Sequence, residues 1–324
     1  MLRQAKDTFK DAVKVSGSLF KIMIPIIILV KILKELDLIS VLAWPLEPVM
    51  DLVNLPGSMG LVWATALLSN LYSAMIVFVS LAPENPVTVA QCTVLATMML
   101  IAHNMPLELK IAQKCGSSLI AQALIRIFAA LACGWALHLI YSSMDLLQAP
   151  NVIFWTPEKQ PDSLAGWAAA QAANLFWIFL IILGLLVFMK LAKRLGITEL
   201  LNRLLRPILK LMGIGPSAST ITVVGLSLGI AYGSGLIMHE IEHGRVDRRD
   251  IFFSLSLMGL SHALIEDTLL MLMIGAHHSG IFWGRLIFSL VLVAGLVRIV
   301  GGISNERFER YLMSGGRKAG TSES

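Results

Sequence analysis

Eight apolar runs, each long enough to reach across a bilayer, constrain this chain more than any other feature. They fall at residues 18–38, 57–82, 87–106, 116–142, 167–189, 216–238, 251–275 and 280–301. A hydrocarbon core of about 30 Å is crossed by roughly 20 helical residues, whereas a membrane barrel would show alternating segments of about ten. Charged residues make up only 15% of the chain and hydrophobic ones 56%; a water-facing domain carries about 25% charged. The expectation is an all-α, multi-pass integral membrane protein whose outer surface meets lipid.

The charges punctuate the runs. Net charge is +5, but the basic residues lie at the ends of apolar runs and do not interleave with aromatic ones. This pattern suits a membrane surface and excludes a nucleic-acid stacking platform. Cys92, Cys115 and Cys133 lie in or beside apolar stretches and form no CxxC pair, so neither a disulfide framework nor a cysteine metal site is expected. No small-residue cleavage site follows the first run, which reads as a retained span. No phosphate-binding loop or dinucleotide fingerprint occurs, and no cofactor is expected.

The chain also repeats itself. A shift of 159 positions, which carries Lys31 onto Lys190, aligns the halves without a gap from Lys31 to Leu131. KILKEL (31–36) falls on KLAKRL (190–195), Pro48 on Pro207, Ser58 on Ser217, His103 on His262, Gly116 on Gly275 and Arg126 on Arg285. Leucine matches mean little in such a composition. Matches of Lys, Pro, His and Arg mean more, because those residues are scarce in spans, and a fixed-period match marks a duplicated unit.

Charge then sets orientation. The arm bearing Arg3, Lys6, Lys10 and Lys14, and the segment bearing Lys190, Lys193, Arg194, Arg203, Arg206 and Lys210, are both expected on the cytoplasmic side. The linker with Asp145, Glu158, Lys159 and Asp162 faces outside. Each half then crosses an odd number of times, so the repeats are inverted, as in many secondary transporters. One of the four runs per half must be broken or re-entrant. The run carrying the His motif, interrupted by Pro106, is the expected one. The loop HEIEHGRVDRRD (239–250) would lie outside despite Arg245, Arg248 and Arg249, offset by Glu240, Glu242, Asp247 and Asp250. The organisation is a cytoplasmic amphipathic arm (1–15), repeat 1 (16–142), a linker (143–165), repeat 2 (166–303) and a polar, disordered tail (304–324). Amphipathic segments at 44–54 and 190–210 are expected in the interface plane, in contact with lipid headgroups.

Three constellations could carry chemistry. The first is AHNMPLE (102–108) against SHALIED (261–267), which supplies His103, Asn104 and Glu108, then His262, Glu266 and Asp267. A charge at mid-membrane costs at least about 2.5–3.5 kcal/mol and persists mainly where it pairs or lines a polar path. A His beside a carboxylate can also exchange a proton near neutral pH. The group reads as a substrate, ion or proton site, or as a pair that pins two helices. The second constellation is SNLYSA (69–74) against GIAYGSG (229–235). With a one-residue slip Tyr72 meets Tyr232, and Asn70, Ser73, Tyr232 and Ser234 are candidate cavity-lining residues; close helix packing through small residues is the alternative. Ser58 and Ser217 precede these runs as possible helix caps. The third is HEIEH (239–243), a formal HExxH match that makes His239 and His243 weak zinc-ligand candidates with Glu240 as base. A solvated, charged helix end is the plainer reading, and no metal site is otherwise expected.

The paired H-N-x-P-x-E and S-H-x-x-x-E-D motifs, each after an amphipathic segment and a polar span, resemble the nucleoside-recognition, or gate, domain family. That family includes bacterial spore maturation membrane proteins, and similar units occur in ferrous iron transport protein B. The resemblance covers two gate-type units, Ser16–Tyr141 and Gly166–Gly302. It implies a helical bacterial inner-membrane protein, a transporter rather than an enzyme, with assembly as a dimer. The chain lacks the GTPase domain of the iron transporter, and the second copy lacks the Asn-x-Pro of the first. The function expected is secondary transport of a small polar solute or ion. A membrane scaffold or a zinc hydrolase built on HEIEH are the alternatives.

Overall fold

A computed structural model describes residues 2–36, 38–154, 163–242 and 246–314. They are almost wholly helical. Repeat 1 holds α1 (Leu2–Glu35), α2 (Leu38–Ala43), a 3-10 turn at Trp44–Leu46, α3 (Glu47–Asp51), α4 (Met59–Leu68), α5 (Leu71–Leu81), α6 (Val89–Ile101), α7 (Met105–Lys114) and α8 (Leu119–Ser143). Repeat 2 holds α9 (Leu164–Arg194), α10 (Ile197–Leu211), α11 (Pro216–Leu228), α12 (Ile230–Glu242), α13 (Arg248–Ser261), α14 (Glu266–Leu272), a π-helical turn at Ser279–Gly284 and α15 (Arg285–Gly301). A last helix, α16 (Asn305–Leu312), follows.

Among the described residues six segments are long and apolar enough to cross a membrane: Lys6–Glu35, Val89–Lys114, Leu119–Ser143, Leu164–Arg194, Arg248–Leu272 and Ser279–Gly301. Polar caps start several of them, as the sequence requires where four backbone N–H groups would otherwise lack acceptors. Thr88 and Gln91 form a reciprocal capping box on α6, Ser118 caps α8, Ser163 caps α9 and Asp247 caps α13. Three spans belong to each half, so the second half begins on the opposite side. The first helices of the two halves accordingly run antiparallel. Lys190, near the end of α9, bonds Thr8 and Asp11 near the start of α1, while Lys31 near the end of α1 lies 5.8 Å from the Trp167 ring near the start of α9. Met23, Ile27, Ile178 and Ile182 fill the seam between.

The duplication is visible in the backbone itself. Positive φ recurs at matched positions: Asn54 and Gly213, Asn104 and Ala263, Gly116 and Gly275. The repeats also exchange their trailing segments. After α8 the chain crosses to repeat 2, where Asn151 bonds Ile274 O and Phe154 N bonds Met273 O. After α15 it crosses to repeat 1, where Ser118 N bonds Leu312 O and Ser314 N bonds Gly116 O. The expectation of a disordered tail therefore fails for 305–312. Phe308 on α16 is buried, and Arg249 reaches Ile303 O and Asn305. Residues 315–324, and 155–162 of the linker, lie outside the described residues.

The spans also differ from expectation in which run turns back. The run with the His motif is broken, as expected, but it continues across as α6–α7 and, in repeat 2, as α13–α14. The turn-back lies in the preceding run. A Cβ added to Gly233 would sit 2.7 Å from the Gly225 Cα, although residues eight apart in one straight helix are separated by about 12 Å. So α11 and α12 fold against each other as a hairpin, with Gly229 at φ +99° at the tip. Each arm has 13 residues, enough for about 20 Å and too short for the bilayer core. The matched pair α4 and α5, of 10 and 11 residues, breaks at Ser69–Asn70.

The hairpin resolves the one loop that resisted the charge rule. Because α12 returns to the side it came from, residues 239–242 and 246–250 share a face with α10 and are not on the opposite face. Arg248 there pairs with Glu309 of α16 at 2.9 Å. One face thus gathers the N-terminal arm, Lys110 and Lys114, the segment from Lys190 to Lys210, Arg248 and Arg249, and α16. Among the described Lys and Arg residues at span ends and in connections, only Lys31 and Lys34 lie on the other face. On the basic face α10 keeps Leu205 and Leu209 buried and leaves Leu200, Leu204 and Leu211 exposed, as an interfacial helix does.

Neither serine proposed as a cap serves as one. Ser58 stands before α4 without a capping bond, and its buried hydroxyl has no hydrogen-bond partner among the described residues. In repeat 2 the residue before α11 is Gly215, and the side chain of Ser217 lies outside the described residues.

Hairpin topology predicts labelling. In sealed vesicles an impermeant maleimide that modifies Lys210→Cys also modifies His239→Cys and leaves Met144→Cys untouched. Reaction of His239→Cys from the Met144 side would show α11–α12 to be a full span. The native cysteines are buried and give little background.

Candidate functional site

The two broken spans meet at their breaks. In repeat 1, α6 ends at Ile101, the chain turns through Asn104 at φ 50°, and α7 begins at Met105. Asn tolerates this left-handed conformation, and Pro106 sits where a helix needs no N–H. In repeat 2, α13 ends at Ser261 and Ala263 takes φ 47°. Alanine gains nothing from that conformation, which costs an L-residue about 1–2 kcal/mol, so its surroundings must hold it there.

They hold it through arginine. Breaking a helix in hydrocarbon strands backbone carbonyls that water cannot reach, and each must find an internal donor. Arg126 Nε donates to Ile101 O (3.0 Å) and Arg126 Nη2 to His103 O (2.9 Å). Arg285 Nε donates to Leu260 O (2.9 Å) and Arg285 Nη2 to His262 O (2.8 Å). The same fork grips the same two carbonyls in each repeat. The hairpins satisfy the other side of the break: Asn104 N bonds Ala66 O at the end of α4, and Leu264 N bonds Leu226 O near the end of α11. Hairpin tips and helix breaks are therefore one assembly.

The side chains at the breaks interlock across the repeats. The rings of His103 and His262 lie 4.9 Å apart, tilted by 42°. Each ring donates its Nδ1–H to the carbonyl one turn back, His103 to Met99 O (3.0 Å) and His262 to Met258 O (2.8 Å). Since a carbonyl only accepts, this fixes the tautomer and turns both Nε2 atoms towards Glu108. Glu108 Oε2 accepts from Arg126 Nη1 at 2.6 Å. Its Oε1 lies 3.6 Å from His103 Nε2 and 3.3 Å from His262 Nε2. Both histidines and both arginines are buried, Arg285 completely.

The halves differ at one carboxylate. The counterpart of Glu108 is Asp267, one methylene shorter. Glu108 reaches its arginine; Asp267 Oδ2 and Arg285 Nη1 are both buried without a hydrogen-bond partner among the described residues. Single ligand atoms of His103, His262 and Asp267 lie within 4.8 Å of one another.

Of the other residues singled out from sequence, Glu266 opens α14, half-buried and within electrostatic reach of His262. Tyr72 of repeat 1 lies within electrostatic reach of Glu266 and Asp267 of repeat 2 and joins the group. Asn70 caps α5 by accepting from Ser73 N (2.9 Å). Ser73 is fully buried, and the Ser234 hydroxyl donates to Ile230 O on its own helix. All three make hydrogen bonds within their own hairpins. The side chain of Tyr232 lies outside the described residues. So does His243, while His239 is exposed on α12 beside Glu240. Sequence reasoning noted Arg126 and Arg285 as a repeat match without giving them a role; their scarcity inside spans was the available signal. It also missed an open pocket of about 760 Å³ on the face opposite the basic one, lined by Lys34, Trp44, Glu47, Ser58, Glu84 and Asn85 among others.

A curated protein of Bacillus subtilis (strain 168), named "Uncharacterized membrane protein YvoD", is 26% identical to this chain over 262 residues, which cover 80% of the chain and 82% of the relative. This chain is a membrane protein. No family model matches it, and no solved structure does.

The geometry separates the two carboxylates by their effect on stability. Arg126→Ala leaves Glu108 buried and unpaired and costs about 3–5 kcal/mol. Glu108→Gln lowers the thermal midpoint of the detergent-solubilised protein more than Asp267→Asn does, because only Glu108 is in an ion pair. An equal loss in both variants would mean that Asp267 is paired as well.

Proposed function

We propose that the chain is a multi-pass bacterial inner-membrane secondary transporter of a small polar solute or ion, driven by a proton or cation, and not an enzyme. The observation that carries this reading is the buried cluster of His103, His262, Glu108, Asp267, Arg126 and Arg285, assembled half by each inverted repeat at the breaks of two spanning helices. Ionisable groups inside a membrane are expensive and mark ion and substrate pathways. Broken helices at the interface of inverted repeats are where secondary transporters place their sites. The basic face is the cytoplasmic one under the positive-inside rule. The resemblance to the gate family agrees with a transport role and leaves the solute open, with nucleosides suggested by the family label alone.

One observation favours a second reading, a non-transporting membrane subunit. The arginine forks and the histidine Nδ1 atoms are all engaged in closing helix breaks, which is a structural task. The two readings part in proteoliposomes. Transport predicts that a pH or membrane-potential dye responds to one of a panel of solutes and ions, and that Asp267→Asn or Glu266→Gln abolishes the response while the variant stays monodisperse. Undiminished flux in both variants would remove the cluster from the mechanism. Absence of any response with the whole panel, together with a stable co-purifying partner, would favour the subunit.

A further inference from the structure

We propose that His103, His262, Glu108 and Asp267 form a binding site for one divalent first-row transition-metal ion. The inference deepens the transport reading by naming the ion class, but binding itself stands or falls apart from flux.

The argument begins with hydrogen bonding. Both Nδ1 atoms donate to carbonyl oxygens, at 3.0 and 2.8 Å, so in the neutral rings both Nε2 atoms carry lone pairs. Those lone pairs converge on Glu108 Oε1 at 3.6 and 3.3 Å, and that oxygen is itself an acceptor. Three acceptors directed at one point repel one another unless a proton or a metal ion lies between them, and the Co²⁺ titration below distinguishes the two. The remaining groups complete a coordination shell. Glu108 Oε2 is held by Arg126 at 2.6 Å, which leaves Oε1 as the ligand atom. Asp267 Oδ2 is buried and unpartnered among the described residues, and Asp267 offers an oxygen within 4.8 Å of both imidazoles. In a tetrahedral site with bonds of 2.0–2.1 Å, ligand atoms are about 3.4 Å apart. The ligand atoms of His103, His262 and Asp267, which lie within 4.8 Å of one another, approach by at most about 1.4 Å to reach that separation. The Nδ1–carbonyl bonds and the Arg126–Glu108 bond are the outer-shell contacts that orient metal ligands.

Charge selects the ion. With both carboxyl groups ionised, Glu108 and Asp267 carry two negative charges, and Arg126 and Arg285, facing the same point from α8 and α15, carry two positive ones. A formally neutral cage offers little to Ca²⁺ or Mg²⁺, which depend on several oxygen ligands and waters. It suits ions that gain from imidazole nitrogen, such as Zn²⁺, Co²⁺, Ni²⁺ or Fe²⁺.

The test is a Co²⁺ titration of the full chain, purified in detergent with a tag that contains no histidine. The wild type is expected to bind one Co²⁺ per chain with the visible absorption of a four-coordinate nitrogen–oxygen site. Zn²⁺ displaces it and millimolar Mg²⁺ or Ca²⁺ does not. His103→Gln and His262→Gln, whose amides keep a donor for the Met99 and Met258 carbonyls, each weaken binding by more than about 100-fold, beyond the loss of an outer-shell partner. His239→Gln and His277→Gln leave it unchanged. No saturable binding by the wild type, unaltered affinity in both His103→Gln and His262→Gln, or binding lost only with His239→Gln or His277→Gln would overturn the proposal. If the first two variants are not monodisperse, X-ray absorption of the Zn²⁺-loaded wild type decides. Imidazole scattering supports the site, and an all-oxygen shell sinks it. Binding without flux would retain the site and reject transport; flux without binding would do the reverse.

Discussion

The structure depends on one requirement: a backbone carbonyl released inside hydrocarbon must be given a donor by the protein. Breaking a spanning helix strands several at once, each costing several kcal/mol if left alone. A guanidinium meets that requirement better than any other side chain, because its donors lie in a rigid plane and cannot be lost by deprotonation. Arg126 and Arg285 each span two stranded carbonyls across a break. An arginine placed there brings a charge that needs a counter-charge, and the carboxylates on α7 and α14 follow from it. The ionic cluster is thus tied to the broken helices rather than added to them.

The hairpins belong to the same logic. Their short arms end at the breaks, where Ala66 O and Leu226 O take the N–H groups of Asn104 and Leu264. Close approach of the arms needs small residues, and at Gly225 a Cβ would collide with the Met258 sulfur. Met258 also gives its carbonyl to the His262 ring. Packing of the hairpin and placement of the imidazole therefore share one residue, so a bulky change at Gly225 would disturb the site without touching it.

Much of this was legible in the sequence. The unbroken register from Lys31 to Leu131 announced two copies, and the motifs around the matched histidines named His103, Asn104, Glu108, His262, Glu266 and Asp267 as a group. Charge at the ends of the first and fifth runs gave the inversion. What hydropathy could not separate was a hairpin from a span, because both bury an apolar run of about 26 residues. Residues 57–82 satisfy either reading. The discriminating signal was the loop with Arg245, Arg248 and Arg249, which violates the charge rule only if α11–α12 crosses. Asn70 and Gly229 were visible as polar or flexible interruptions, but nothing local distinguishes a hairpin tip from a cavity lining. The arginines were visible as matches and lacked a role, since their partners are backbone carbonyls and carbonyls leave no trace in side-chain identity. The docking of α16 escaped because a segment such as NERFERYL is polar overall, and only the spacing of Phe308 and its neighbours marks one apolar face.

The last point is the asymmetry. Two repeats that agree in their φ values, arginine forks and histidine bonds differ by one methylene at the carboxylate. The longer side chain reaches its guanidinium across the break, and the shorter does not. A perfectly symmetric pair would close two ion pairs and leave each carboxylate only its second oxygen. Shortening one arm withholds a carboxylate oxygen and a guanidinium N–H from each other at the centre of the molecule. Their separation costs stability, and a fold that needed only to hold its helices together would gain by restoring glutamate at 267. The unsatisfied half is therefore where the chain departs from what stability alone would favour, and it lies beside the two imidazoles.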